Sequence, residues 1–470
     1  LNRPKRAIVL AAVVALGPVA AKAAAPADAT ARPVSLTEAV EYALGHHPRL
    51  REVEAAKAAT QGRTDAARAG LLPDLSVVAQ LNRGTGNVVP GSLFYLRGIP
   101  PVSGPPRGRT FDSGVFGSAV GAGASWDILL LLRQMAVVDV ALADESRADA
   151  VTLAVQLEVA FDAANSFIAA VSREEVVRAA QAGVDRDRVF VQIVKALTDQ
   201  ALRPGVDLSR AQAELAIAEA QLVRTQQSEA VARIELGRAL GDSKLALQPT
   251  PGALLTAQPG APGAATRPNP ALLESDAAVV AAQKLQRATR LEYLPRIELA
   301  AALWARGSGF PDPAPDGPPS GAHGLSPDTP NWAAGINFAW PILGMIGTRA
   351  RARAEEANVQ AATARRATLG DLVDAQLLSA AAIADGARRV AAQTPIAVTA
   401  ARAAETQATA RYKSGLATVL EVAEAQRLLT DAEIQDAEAR LGVWSALLLA
   451  ARAAGDLGPF LAMAGEPGGR

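Results

Sequence analysis

Two stretches of this 470-residue chain repeat one another. HPRLREVEAAKAATQGRTDAARAGLLPDLSVVAQL, from His47, runs beside NPALLESDAAVVAAQKLQRATRLEYLPRIELAAAL, from Asn269. Pro48 meets Pro270, Gln61 meets Gln283, Arg68 meets Arg290, and Leu72-Pro73 meets Leu294-Pro295. The register then shifts by a few residues, as across loops of unequal length, and Trp126 meets Trp340. Two copies of one unit is the reading, so a fold is admissible only if both halves can adopt it. The expected layout is a first copy over residues 26–240, a Pro/Gly-rich linker over 241–268, a second copy over 269–455 and a flexible tail over 456–470.

Each copy opens with a helix of roughly 26 residues that a proline ends. A strand follows, over about 73–83 in the first copy and 295–305 in the second. Leu75, Val77, Ala79 and Leu81 alternate with Asp74, Ser76, Val78 and Gln80, and the second copy alternates similarly. Period-two alternation means a strand with two different surroundings. Return strands are expected over about 113–127 and 331–341, closing on Trp126 and Trp340. The aperiodic Gly/Pro/Ser stretches between them, Gly84 to Thr110 and Gly307 to Pro330, read as exposed loops.

Long helical stretches come next, Leu129 to about Leu197 and Ile346 to about Lys413, each about 100 Å as a single rod. Pro395 is expected to interrupt and bend the second. Returning helices run from Val206 to about Leu240 and from Thr418 to about Ala454, with coiled-coil seams such as Leu208, Ala211, Leu215 and Val422, Ala425, Leu429. A short helix and a returning helix together are nearly as long as one rod, so the economical packing stacks them end to end beside it. Half the residues are hydrophobic but only 4% are aromatic, as suits closely packed Ala-rich helices.

Arg3, Lys5 and Arg6 precede an apolar run, Ala7 to Leu16, and then the small-residue pattern Ala21-Lys22-Ala23. This reads as an export signal over residues 1–25, because the run reaches only about 15 Å against roughly 30 Å of hydrocarbon. No later apolar run is long and uninterrupted enough to span, so membrane insertion falls to the strands. About ten residues at about 3.3 Å each, tilted near 45°, cover the apolar height of an outer membrane. Trp126 and Trp340 then sit where an interfacial girdle belongs. One chain has only four such strands, an open edge in lipid is forbidden, and closure needs several copies around one axis.

The formal net charge is zero, so no basic field invites nucleic acid. Cysteine is absent, and His46, His47 and His323 form no helix-spaced ligand set. No phosphate loop, nucleophile elbow or zinc signature appears, so no catalysis, cofactor or metal is expected.

RYKSGLATVLEVAEAQ, from Arg411, is a hairpin tip: Gly415 suits the left-handed helix terminator, and Thr418 with Glu421 makes a capping box. With the paired proline-ended helices and the closing Trp-Asp-Ile-Leu and Trp-Pro-Ile-Leu, this resembles the TolC family of outer-membrane efflux proteins over nearly the whole chain, from Val34 to Leu457. The resemblance implies a mainly helical homotrimer whose pooled strands close a twelve-stranded barrel. It implies a Gram-negative outer membrane, a long periplasmic tunnel, and docking to a periplasmic adaptor and an inner-membrane pump in efflux or type I secretion. Glu421 and Glu424, with Asp207 in the first copy, would line the periplasmic entrance, where mutual repulsion should raise carboxyl pKa values and favour cations. Tyr412, Gly415, Leu416, Pro204 and Gly205 would be the docking tips.

Two departures stand out. Ala417 occupies the place where latched relatives carry arginine, and Thr198 and Ala201 replace Tyr and Gly in the first tip, which puts that turn on Pro204-Gly205. The rival reading is a periplasmic structural coiled coil or adaptor without a barrel, which has no need of four amphipathic strands.

Overall fold

The computed structural model describes residues 32–85, 114–256, 259–260, 263–308 and 324–465. The expected signal segment, most of both long loops and the end of the tail lie outside these residues.

The chain runs β1 (Arg32–Val34), α1 (Leu36–His46), α2 (Pro48–Ala69), β2 (Asp74–Thr85), β3 (Gly114–Asp127), α3 (Ile128–Asp199) and α4 (Gly205–Ala239). It continues β4 (Leu247–Pro249), α5 (Ala253–Thr256), α6 (Pro270–Arg290), a short 3-10 turn (Leu291–Tyr293), β5 (Arg296–Ser308) and β6 (Thr329–Ala339). It closes with α7 (Gly344–Lys413), α8 (Val419–Ala454) and α9 (Gly458–Gly465). α3 and α7 are rods of 72 and 70 residues.

The four longer strands form one antiparallel sheet in the order β2-β3-β5-β6, which leaves β2 and β6 at its edges. Leu75 lies opposite Ala124, which lies opposite Ala301, which lies opposite Ala334; Val77, Ala122, Leu303 and Trp332 form the next row. Apolar residues therefore share one face across all four strands, and that face is bare in the single chain: Leu303 is 67% exposed, Ile336 70% and Trp332 78%. The other face carries Ser76, Gln80, Asn82, Asn331 and Asn337 with many small residues, plus Trp304, which lies buried across Gly121. A Cβ at Gly121 would come within 2.4 Å of the Trp304 Cβ, so only glycine permits this approach.

Below the sheet the short helices stack on the returning ones. Gly241, at φ +97°, ends α4 against His47 and Pro48 at the start of α2; Gly455, at φ +85°, ends α8 against Asn269 and Pro270 at the start of α6. His47 and Asn269 cap their helices with side-chain acceptors, and a proline follows each. At mid-height Phe167, Ile168, Leu236, Trp444 and Leu448 form the largest buried cluster. One carboxylate, Glu433 of α8, binds Arg186 of α3 and Arg402 of α7, each at 3.0 Å.

Several elements differ from the sequence-based expectation. Pro395 does not interrupt α7: it lies inside a continuous helix, where its missing N–H costs one backbone hydrogen bond without ending the rod. α7 is also, among the described residues, the one helix long and apolar enough by length and composition to cross a membrane, although a rod of 70 residues is several times too long for that role. The expected flexible tail over 456–470 is ordered through Gly465. α9 buries Phe460 edge-on to Trp444 at 6.2 Å, and the Asp456 carboxylate accepts hydrogen bonds from Thr266 and Gly458. α1, held by a capping box between Ser35 and Glu38, is an additional helix packed on α3. The linker is not bare either, since β4 pairs in parallel with β1.

Candidate periplasmic entrance

The far ends of the rods are two hairpin tips, α3–α4 and α7–α8. In the second tip Gly415 takes φ +80°, and the Leu416 N–H reaches back to the Arg411 carbonyl at 2.8 Å, closing the last turn of α7. α8 then starts at the Thr418 cap. Thr418 N–H and Oγ1 both donate to Glu421 Oε1 at 3.1 Å, and the Glu421 N–H donates to Thr418 Oγ1 at 3.3 Å. Val419 and Val422 turn inward and are buried, while Leu416 is 70% exposed.

The first tip has the same shape with different residues. Its left-handed residue is Ala201, at φ +55°, and the Leu202 N–H bonds the Leu197 carbonyl at 2.9 Å. The turn has therefore not moved to Pro204-Gly205, as the sequence suggested. Pro204 is the cap of α4, with φ −65°, and Gly205 is its first helical residue. Both are exposed, but the tip itself is Ala201-Leu202, with Leu202 64% exposed in the place that Leu416 holds on the other hairpin.

Tyr412 joins the two tips. It is fully buried, its ring is 5.3 Å from Phe190 in an edge-on contact, and its hydroxyl donates to Asp207 Oδ2 at 3.4 Å. Arg203 lies over the same ring, 4.4 Å from its centre, and donates to the carbonyls of Tyr412 at 2.8 Å and Ala417 at 3.2 Å. Burial, then the negative Asp207, push the Tyr412 hydroxyl above its ordinary pKa, against the opposing charge of Arg203. The hydroxyl therefore stays a neutral donor through the physiological range. Residue reading missed Arg203. It sits 214 positions before Ala417 (417 − 203), just as Ala201 precedes Gly415 (415 − 201), so the arginine absent from the second tip is present at the corresponding place in the first.

The three carboxylates named from sequence are differently committed. Asp207 faces Tyr412. Glu421 is held below its ordinary pKa of 4.5, first by the Thr418 backbone N–H and then by the Thr418 hydroxyl, so within one chain its shift opposes the expected rise. Glu424 is exposed and has no hydrogen bond or ion pair among the described residues. Of the three it alone makes no hydrogen bond or ion pair among the described residues.

At the other end of the rods, the expected interface tryptophans play matching parts. Trp126 Nε1 donates to the Leu71 carbonyl and Trp340 Nε1 to the Tyr293 carbonyl, both at 3.3 Å, fixing each return strand to the helix end beneath the sheet. Among the described residues no group of three or more His, Asp or Glu side chains is placed to hold a metal ion.

A family model described as outer membrane efflux protein matches residues 39–242 and 261–455. Among solved structures, the outer-membrane channel OprN aligns at TM-score 0.70 and 19% identity, covering 89% of each chain. The outer membrane protein VceC from Vibrio cholerae aligns at TM-score 0.71 and 19% identity, covering 90% of this chain and 96% of that one. CusC aligns at TM-score 0.72 and 15% identity, covering 90% and 92%. At these identities the likeness is one of fold, and no curated protein sequence matches. The family match spans both halves of the chain, and with the bare apolar sheet and the long helical rods it leads to one assignment: this chain belongs to the outer membrane efflux protein family, the TolC-like channels of the Gram-negative outer membrane with a long periplasmic helical part.

Proposed function

We propose that this chain is one subunit of a homotrimeric channel-tunnel in a tripartite efflux or type I secretion system. Three sheets pool into a closed twelve-stranded barrel in the outer membrane, and three sets of rods make a tunnel about 100 Å long beneath it. The tips at Ala201-Leu202 and Gly415-Leu416 meet a periplasmic adaptor that couples the tunnel to an inner-membrane pump, and small molecules or polypeptides leave through it. Glu424, with Glu421 on the same helix and Asp207 at the start of the returning helix of the other tip, makes the entrance attractive to cations. The observation that carries this reading is a four-stranded sheet with two free edges and one largely apolar face bared by Leu75, Val77, Leu303, Trp332 and Ile336, which is stable in lipid only when closed by further strands. Reconstitution of the detergent-purified protein into planar bilayers tests it: discrete, cation-preferring conductance steps are expected, and a protein that stays soluble without detergent and leaves bilayers silent rules it out.

A further inference from the structure

Three buried polar atoms without a hydrogen-bond partner lie at the end of the sheet away from the rods: Asn82 Nδ2, Ser118 Oγ and Arg306 Nη1. Ser118 belongs to the apolar side, opposite Leu81. Asn82 and Arg306 belong to the polar side. Arg186 and Arg233 also carry an orphaned Nε, but each binds a carboxylate through another nitrogen. Arg306 makes no ion pair among the described residues.

The register brings the two orphans to one trough. Gln80 lies opposite Ala119 and Asn82 opposite Gly117. Ala119 lies in turn opposite Arg306, and Gly121 opposite Trp304. On this side β3 therefore supplies only Gly117, Ala119 and Gly121 between the long side chains of β2 and β5. The flanking strands stand about 10 Å apart across that low floor, a span that an amide and a guanidinium can close from either side around one small ion. Trp304, two residues before Arg306 on the same side and buried, walls the trough toward the rods.

The chemistry of the pair is one-sided. Both orphaned atoms are donors, and a guanidinium has no acceptor to offer. A buried cation without a counter-charge is costly, so its complement is an anion. The other charged strand residues on this side, Asp74, Asp127, Arg296 and Glu298, sit at the rod end. Arg306 is eight positions beyond Glu298 on β5 (306 − 298), about 26 Å along the strand. Asp328 precedes Thr329, the strand partner of Arg306, but its carboxylate accepts from the Thr329 hydroxyl at 3.2 Å.

We propose that Arg306 and Asn82 form an anion site on the inner wall of the barrel near its outer end, taking the carboxylate, sulfate or phosphate group of a solute. The guanidinium suits an oxyanion because its N–H groups bind two oxygens side by side. The site lies wholly within one chain, and its place on a channel wall rests on the function proposed above. Carboxylates at the tips and a guanidinium at the outlet put opposite charge at the two ends of one passage.

Iodide, an anion whose contact quenches indole fluorescence, is the probe, and Trp304 is the reporter. In the detergent-purified protein at constant ionic strength, iodide should give a saturable quenching component that Trp304→Phe removes. Inorganic phosphate should compete for it, and caesium, a cationic quencher, should show no saturable component. Arg306→Gln should weaken phosphate competition about tenfold and Asn82→Ala about threefold, as loss of a charged and a neutral hydrogen bond would. Arg306→Lys keeps the charge without the fork and should fall between, which decides the matter if the glutamine variant does not fold. Quenching without saturation, or saturation unchanged in the Arg306 variants, overturns the site. In planar bilayers phosphate, added to each side in turn, should reduce the current from one side in the wild type and from neither in Arg306→Gln. Current indifferent to phosphate beside an intact titration takes the site off the conducting wall. Silent bilayers with an intact titration remove the channel reading alone, and conducting channels without the saturable component remove the anion site alone.

Discussion

The Arg203 guanidinium lies 4.4 Å from the centre of the Tyr412 ring and donates to two carbonyls of the opposite tip, so one side chain holds the α3–α4 hairpin to the α7–α8 hairpin. A tunnel whose mouth widens by parting these hairpins has to break that contact first. A cation–π contact of this kind contributes about 0.5–2 kcal/mol.

Arg203→Ala is therefore expected to raise the open fraction of bilayer-reconstituted channels about tenfold, taking a loss of about 1.4 kcal/mol. Tyr412→Phe, which removes only the hydroxyl donated to Asp207, should act in the same direction and less. Channels with unchanged conductance in both variants would show that the tips part elsewhere.

The two tips make opposite predictions for one substitution. Ala201 holds a left-handed conformation that costs a non-glycine residue about 1–2 kcal/mol, while Gly415 holds it without that cost. Ala201→Gly should slow amide hydrogen exchange around Leu202, and Gly415→Ala should speed it around Leu416. A Cβ at Gly415 meets nothing within 4 Å, so the effect there is conformational and not steric.

Glu421 and Glu424 separate by substitution. The Glu421 carboxyl is depressed, so the stability it lends α8 is present above its ordinary pKa of 4.5 and is lost as pH falls through the lower folded value. Glu421→Gln should fray the start of α8 at neutral pH and change selectivity little. Glu424→Gln should leave helicity unchanged and reduce cation preference in bilayers. The reverse pattern would exchange their roles.

Asp187, towards the tip end of α3, carries a carboxyl raised to about 6, chiefly by burial and further by Glu214, against the pull of Arg186. The raised value means the fold favours the protonated form, so stability is present at low pH and falls as pH rises from 3.8 through about 6. Asp187→Asn should remove this slope and raise the thermal midpoint at neutral pH, as followed by circular dichroism. A variant with the slope intact would place the titrating group elsewhere.

What the residues revealed in advance followed from periodicity. Alternation along Leu75–Leu81 and Trp332–Trp340 sets the two faces of the sheet before any pairing is known, because a period of two leaves no other arrangement. Heptad seams likewise mark the rods, and proline stops mark the ends of the short helices. What stayed hidden depends on contacts distant in sequence. Phe460 looks like part of a loose tail until Trp444 is brought against it. Ala201 gives no sign of a left-handed turn, because residue type favours glycine there. Arg203 was overlooked because the arginine was sought at Ala417 and not at the matching place in the other half. Ser35 and Glu38 carry the spacing of a capping box, and α1 was overlooked with them.

In the proposed channel several copies of this chain close one sheet. Native mass spectrometry of the protein released from detergent micelles measures that directly. Three chains in one particle, with no folded single chain at equilibrium, is the predicted result; a folded single chain that remains soluble after detergent removal would contradict it.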